Sequence, residues 1–216
     1  RKSTWALAVI CAMLVISTAM TASARTETHQ VQIRYVPPVN PAHEEIYRDM
    51  RERRALEKME DFLSPYRLPR ALEIRLEGCD GEADAWYGDD VITICYEYIQ
   101  ALWDSMPEET TPGGVEPFDT VAGPFFDTSL HEFAHALIDM FTLPVLGRLE
   151  DAADLMAAYI YLQMGPDEAR RLFRGAAWAF FHEAEGGQTP PMTGFAGQHG
   201  TPAQRGYNIL CIAYGA

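Results

Sequence analysis

The chain has 216 residues and is acidic, with 17 lysines and arginines against 31 aspartates and glutamates and a formal net charge of −14. This length suits one domain with a hydrophobic core of ordinary size. The negative surface repels nucleic acids and anionic lipids, so neither is expected as a partner.

The first 24 residues have the layout of a secretory signal peptide. Arg1 and Lys2 are basic, residues 5–20 are almost entirely apolar, and Ala22-Ser23-Ala24 offers small residues to a signal peptidase. Cleavage leaves residues 25–216 as one domain with 15 basic and 31 acidic residues, a net charge of −16. The apolar run is short for a membrane span, which needs about 20 residues. Uncleaved, it would instead be an anchor.

The mature chain begins with segments typical of strands. Alternating or β-branched apolar residues predict strands at residues 30–36, at 72–76 and from 91, the last continuing into a helix through Trp103. Residues 104–124 are rich in Pro, Gly, Thr and Glu and predict a loop.

Helices dominate the rest of the chain. Apolar residues at helical spacing predict helices at residues 41–63, 127–141, 150–164, 167–183 and from Pro202 to the end. A Gly-rich and Pro-rich loop is predicted at residues 186–200. Because the strands come first, we predict an α+β fold with helices packed on one face of a small antiparallel or mixed sheet.

The cysteines predict one disulfide. Cys11 leaves with the signal peptide, whereas Cys79 and Cys95 bracket a predicted hairpin. In an oxidising compartment these two can pair, and the resulting disulfide would stabilise the folded state by about 3 kcal/mol. Cys211 is left over, either as a buried thiol or with a partner beyond Ala216.

The segment His131-Glu132-Phe133-Ala134-His135 carries the clearest chemical signal. Residues four apart on a helix share a face, so the two imidazoles can hold one metal ion. Glu132 lies farther round the helix, where it can take a proton from a metal-bound water. This pattern on a helix is typical of zinc hydrolases. The alternative is a pair of ordinary helix histidines.

A catalytic zinc needs a third protein ligand and an open position. The candidates are Glu150, Asp151 and Asp154, which follow after a short turn. Glu150 and Asp154 share a helix face, while Asp151 points about 100° away from Glu150. We therefore expect Glu150 to bind the metal and Asp154 to support a ligand histidine. The alternative is a cluster of acids favoured by the helix dipole.

The two motifs together, His131-Glu132-x-x-His135 and Glu150-x-x-x-Asp154, resemble those of the gluzincin peptidases, the thermolysin-like and neprilysin-like group. The resemblance implies a zincin-like fold with an active-site helix and a helical part after it. It also implies zinc as the cofactor, Glu132 as the general base and Asp154 as the aspartate that supports the ligands. The spacing between the motifs is shorter here than in thermolysin-like enzymes.

Two further elements come from this resemblance. Asp84-Ala85-Trp86-Tyr87 matches the order of an edge-strand motif whose backbone pairs with the bound peptide. Asp84 replaces the usual Asn, which favours basic or free-amine groups. The alternative is a Trp and a Tyr packed in a hairpin. His199 can stabilise the tetrahedral intermediate as a hydrogen-bond donor, or it is a surface histidine beside a helix.

The mature chain is also similar to a family of bacterial secreted proteins regarded as metallopeptidases on their motif alone. The matching stretches are Leu68-Pro69, residues 79–97, the helix with His131, the Glu150 motif and residues 205–215. Members continue past the Tyr-Gly pair with another cysteine, which implies that the partner of Cys211 is missing here. We interpret His29, His43 and His182 as structural or solvated.

These patterns predict a zinc-dependent peptidase that acts on peptide or protein substrates. We expect a secreted or periplasmic monomer without stable membrane association after signal cleavage. One alternative is a secreted zinc-binding module without catalysis that recognises peptides or envelope partners, although such a binder would not need Glu132. The other is a structural protein tethered by residues 5–20, which a mature N-terminus at Arg25 would exclude.

Overall fold

A computed structural model describes residues 30–186 and 197–215. Its sheet has four strands: β1 (Val31–Tyr35), β2 (Leu72–Glu77), β3 (Ala85–Gly88) and β4 (Val91–Cys95). The order across the sheet is β1-β2-β4-β3, with β1, β2 and β4 parallel and β3 antiparallel to β4. The short strand β3 is therefore an edge of the sheet.

The sheet buries one face. In β2 the side chains of Leu72, Ile74 and Leu76 are buried, while the alternate residues Glu73, Arg75 and Glu77 remain partly exposed. Because successive strand residues point to opposite sides, the apolar face packs on the core and the polar face meets water. The α+β class with a small mixed sheet is confirmed.

Seven α-helices complete the described part of the chain. They are α1 (Glu44–Glu52), α2 (Ala55–Leu63), α3 (Tyr96–Ser105), α4 (Asp119–Met140), α5 (Leu149–Tyr161), α6 (Pro166–Gly186) and α7 (Pro202–Gly215). Short 3₁₀ turns precede α1 and follow α5. No helix among these residues has the length and apolarity to cross a membrane. The predicted signal peptide lies outside the described residues, as does most of the predicted loop at 186–200.

The predicted single helix at residues 41–63 is wrong, because the chain breaks it at Arg54. This residue adopts a left-handed conformation with φ 54° and separates α1 from α2. On one straight helix, the buried residues of the two halves would lie roughly 130° apart. The break turns both apolar faces toward the core, and the Tyr35 hydroxyl accepts the freed N–H of Leu56 at 2.9 Å.

The predicted loop at residues 104–124 is also wrong at its end, because α4 begins at Asp119 and contains Pro124. Gly123 of α4 and Gly175 of α6 lie at the crossing of the two helices. A Cβ on Gly123 would come within 2.4 Å of the Ala176 nitrogen, and one on Gly175 within 1.9 Å of the Asp119 oxygen. The glycine that suggested a loop therefore serves close helix packing.

The predicted disulfide is present between Cys79 and Cys95. It joins the residue that ends β4 to the loop before β3, so it ties down the connection that leads into the edge strand. Glu97 holds the same loop, because its carboxylate accepts the N–H groups of Cys79 and Gly81 at 3.0 Å. Cys211 is exposed and has no partner in the described part of the chain.

Candidate metal centre

Three ligand atoms from two helices converge in one place. His131 and His135 lie one turn apart on α4, and Glu150 lies in the first turn of α5. The two histidine Nε2 atoms are 3.1 Å apart, and each is 3.0 Å from the Glu150 Oε2 atom. The three groups can hold a metal ion.

This donor set fits zinc. Two imidazoles and one carboxylate are common zinc ligands, and tetrahedral zinc with ligands at about 2.0–2.1 Å places them roughly 3.3 Å apart. The separations between the three atoms are close to that value. With its proton on Nδ1, His131 presents an Nε2 lone pair, and the Glu150 oxygen is also an acceptor, so a cation between them would satisfy both groups.

Asp154 lies one turn after Glu150 on α5 and supports His131 from behind. Its Oδ1 atom is 2.7 Å from His131 Nδ1, on the far side of the ring from Glu150. A hydrogen bond there keeps the proton on Nδ1 and turns the Nε2 lone pair toward the other ligands. Burial alone would raise the pKa of Asp154, but bonds from His131 and Arg205 lower it to about 2.

Arg205 of α7 completes this support, and sequence reasoning did not assign it a role. Its Nη2 and Nε atoms donate to the two oxygens of Asp154 at 2.7 and 2.9 Å. Its guanidinium also lies over the ring of Phe180, 4.5 Å from the centroid. The only signal in the sequence was its position at the start of a stretch similar to the bacterial family.

Glu132 is buried beside the ligands, with 8% of its surface exposed. Burial disfavours its charged form and raises its pKa to about 7, although His131 and the Tyr87 N–H act in the opposite direction. A carboxyl group whose pKa lies near neutrality can both accept and release a proton. Its position next to the metal ligands suits a general base.

Asp151 lies apart from the three ligands. Its side chain is 46% exposed and lies 3.7 Å from Arg148. Of the acids that the sequence proposed for the third position, the structure places Glu150 and not Asp151 against the two histidines.

His199 enters the same site from the segment before α7. Its Nε2 atom is 2.9 Å from the Glu150 Oε2 atom, and its ring centroid is 5.6 Å from that of His131. Arg148 holds this segment through the carbonyl of His199 at 2.5 Å. The side chain is half-exposed, so it borders the site and also meets solvent.

The other two described histidines are not part of the ligand group. His43 is buried and packs against Tyr96, with ring centroids 5.6 Å apart. His182 stacks on Trp178 at 4.8 Å and lies on the outer wall of the cleft. His29 lies outside the described residues.

The candidate metal centre lies in a cleft of about 1160 Å³ between α4 and the edge strand β3. Asp84, Ala85 and Trp86 line this cleft. Ala85 is buried, Trp86 is 42% exposed, and Asp84 is exposed with its Oδ1 atom accepting the Ala85 N–H at 2.8 Å. Among the described strands β3 pairs with β4 alone, so its other edge offers backbone groups to an extended peptide.

The fold and the site define an α+β protein with a candidate metal centre of two histidines and one glutamate in an open cleft. A family described as "Putative metallopeptidase" matches residues 35–216. The chain belongs to this family. No curated protein and no solved structure matches the chain.

Proposed function

We propose that the protein is a zinc-dependent peptidase with a zincin-like fold of the gluzincin kind. The observation that carries this proposal is the convergence of His131, His135 and Glu150 at mutual distances of 3.0–3.1 Å beside the buried Glu132. The family match supports peptidase chemistry, and the donor set supports zinc.

The residues of the chain divide the work of hydrolysis. Bound zinc would supply the Lewis acidity that lowers the pKa of a coordinated water to about 7. Glu132 accepts a proton from the attacking water on its carboxylate and passes it to the leaving amine. His199 borders the site and would donate a hydrogen bond to the oxygen that becomes negative. Asp154 and Arg205 keep His131 in the orientation that a ligand needs.

The substrate would be a peptide or protein segment in extended form. The unpaired edge of β3 supplies N–H and C=O groups for it, and Ala85 and Trp86 line the cleft at that edge. Alternate side chains of such a peptide point toward α4 and away from it.

The decisive experiment compares Glu132→Gln with the unmutated protein in metal content and peptide hydrolysis. We expect the variant to keep zinc and lose at least 1000-fold in kcat, because the amide accepts no proton. Zinc retention with no hydrolysis by the unmutated protein would favour the non-catalytic binding module. Full activity in the variant, with an inactive metal-free control, would refute Glu132 as the base.

The ligand set has its own matched pair of variants. Glu150→Gln should lose bound zinc in metal analysis, because a neutral amide is a poor zinc ligand. Asp151→Asn is the control, since its side chain lies apart from the histidines and should leave zinc bound. The reverse result would transfer the third position to Asp151.

We also propose that the protein works in a secreted or periplasmic compartment as a monomer. The Cys79–Cys95 disulfide supports an oxidising compartment. Sequencing the N-terminus of the mature protein tests whether it is exported, with Arg25 expected as the first residue. A mature protein that keeps residues 5–20 would favour the anchored alternative.

A further inference from the structure

The metal ligands of α4 belong to a longer stripe along the helix. Asp127, His131, His135 and Asp139 are each four residues apart, and all four line the cleft. Residues at this spacing share a helix face. The proposed metal centre is therefore flanked by a carboxylate one turn away on either side, and the two carboxylates differ sharply in burial.

Asp127 is the buried one, with 7% of its surface exposed. Among residues 30–186 and 197–215 no hydrogen bond to its carboxylate is found, and because no fully buried side-chain oxygen there lacks a partner, the Asp127 oxygens keep some contact with solvent. Burying a charge without a partner is unfavourable, and burial is the main reason that the pKa of Asp127 rises to about 6. The proposed hydrolysis does not use Asp127, so the burial of this carboxylate needs another explanation.

Arg205 acts on Asp127 through its charge but forms its hydrogen bonds with a different carboxylate. Arg205 directs its Nε and Nη2 atoms to Asp154 and is held over Phe180. One guanidinium thus serves two carboxylates, which leaves one negative charge uncompensated. Across the whole described lining there are six Asp and Glu residues, Arg205 is the single Arg, and there is no Lys. A divalent ion would offset only part of that excess.

The cleft that Asp127 lines has room for a long side chain, since its volume is about 1160 Å³. Helices α3, α4 and α6 contribute to its walls, and the small residues Ala101, Ala176 and Ala179 are among the lining residues. Tyr98 adds an apolar wall. Farther along α6, the exposed Glu183 lines the cleft and has no ion-pair partner among the described residues. An alkyl stem fits along such walls while its charged end reaches a carboxylate.

We propose that this pocket receives a lysine or arginine side chain of the peptide substrate, with Asp127 as its counter-ion. The inference rests on the proposed peptidase function, because a peptide paired with β3 sends alternate side chains toward α4. Asp127 is then a residue that determines specificity and does not take part in the proton transfers.

The first test measures hydrolysis of quenched fluorogenic peptides by the zinc-loaded protein. The peptides are identical except that lysine, arginine, norleucine or glutamate occupies successive positions around the cleaved bond. At one position we expect kcat/KM for lysine and arginine to exceed that for norleucine, which has the same stem without the charge, by about 10-fold or more. Asp127→Asn should bring this ratio close to one.

Asp104→Asn is the matched control, because it removes the same charge from an exposed site on α3 outside the cleft. It should keep the preference for lysine. Ala101→Leu provides a second variant that fills the pocket and leaves the charges in place. It should lower kcat/KM for the lysine and norleucine peptides alike.

A binding measurement decides the proposal without hydrolysis. Calorimetry with zinc-loaded Glu132→Gln should give a Kd about 10-fold lower for the lysine peptide than for the norleucine peptide. The double variant Glu132→Gln/Asp127→Asn should lose that difference. Equal affinities in Glu132→Gln, or a preference that survives in the double variant, would overturn the pocket. Cleavage of neutral peptides would then leave the peptidase function standing.

Discussion

Two clusters with the same charged groups border the cleft, one buried and one exposed. In the first, Arg205 bonds to Asp154 and acts on Asp127 through its charge, near the proposed metal ligands. In the second, Arg70 bonds to Asp90 and Asp139 near the far end of α4. Each cluster has one arginine and two aspartates, so each has a net charge of −1.

Burial separates the behaviour of the two clusters. The Asp127 side chain is almost fully buried, and it has a pKa of about 6 while its neighbour Asp154 has a pKa of about 2. Asp139 is 57% exposed, and hydrogen bonds from Tyr87 and Arg70 outweigh its desolvation and lower its pKa. At the exposed cluster, water solvates the one uncompensated negative charge. At the buried cluster, the protein or a ligand must compensate that charge.

The largest effect should follow from breaking the buried cluster at its arginine. Arg205→Met leaves the buried Asp127 and the partly exposed Asp154 without this cation, and removing one partner of a buried pair costs up to about 3–5 kcal/mol. Zinc affinity should also fall about 10–100-fold, because Asp154 loses the group that orients it behind His131. Denaturant unfolding of the metal-free protein and zinc competition titration measure the two effects. Unchanged zinc affinity would show that Arg205 does not position Asp154.

Asp127, the carboxylate of the buried cluster that has no hydrogen bond from Arg205, should make the free energy of unfolding depend on pH. The folded pKa of Asp127 is about 6 against an ordinary value of 3.8. The folded state therefore holds a proton that the unfolded state has lost between these values, and stability falls as pH rises from about 4 to 6. The charged groups that act on Asp127 are Arg205, Asp154 and His131.

Asp127→Asn tests this contribution in the metal-free protein. The shift corresponds to about 3 kcal/mol, so the variant should be more stable than the unmutated protein at pH 7 by up to that amount. The difference should disappear near pH 4, where the unmutated Asp127 is protonated in the folded state. Free energies of unfolding from urea titrations across this range check the prediction, and a constant difference would contradict it.

The smallest effect should come from the exposed cluster. Arg70→Gln removes a cation that is 42% exposed, and exposed ion pairs contribute little to stability because water solvates both charges. We expect the free energy of unfolding to change little and the effect to vanish at high salt. A loss as large as that in Arg205→Met would mean that burial does not govern the difference between the clusters.

Tyr87 connects the exposed cluster to the cleft, although the ion pairs of that cluster are weak. Its hydroxyl donates to Asp139 at 2.8 Å and lies 3.1 Å from an oxygen of Asp90. Its N–H also interacts with Glu132. The edge strand is thereby held against α4 at the end of the cleft away from Asp127.

Local sequence rules determined much of this protein. The spacing of His131 and His135 on a helix, and of Glu150 and Asp154 on the next, depends only on the helical repeat. Alternation in residues 72–76 and the cysteines around a hairpin predicted the sheet and the disulfide for similarly local reasons. A helix or strand face is set by near neighbours, so the pattern is visible before folding.

Only the tertiary structure determined which distant residues these helix and strand faces contact. Arg205 lies 51 residues from Asp154 in sequence, and only the packing of α7 beside α5 joins them. Gly123 and Pro124 look like helix breakers, yet the missing Cβ of Gly123 is what lets α6 cross α4. Asp127 looks like an ordinary residue near a helix start, and its burial depends on three helices that close around it. Burial and long-range pairing depend on the whole fold, which no local pattern specifies.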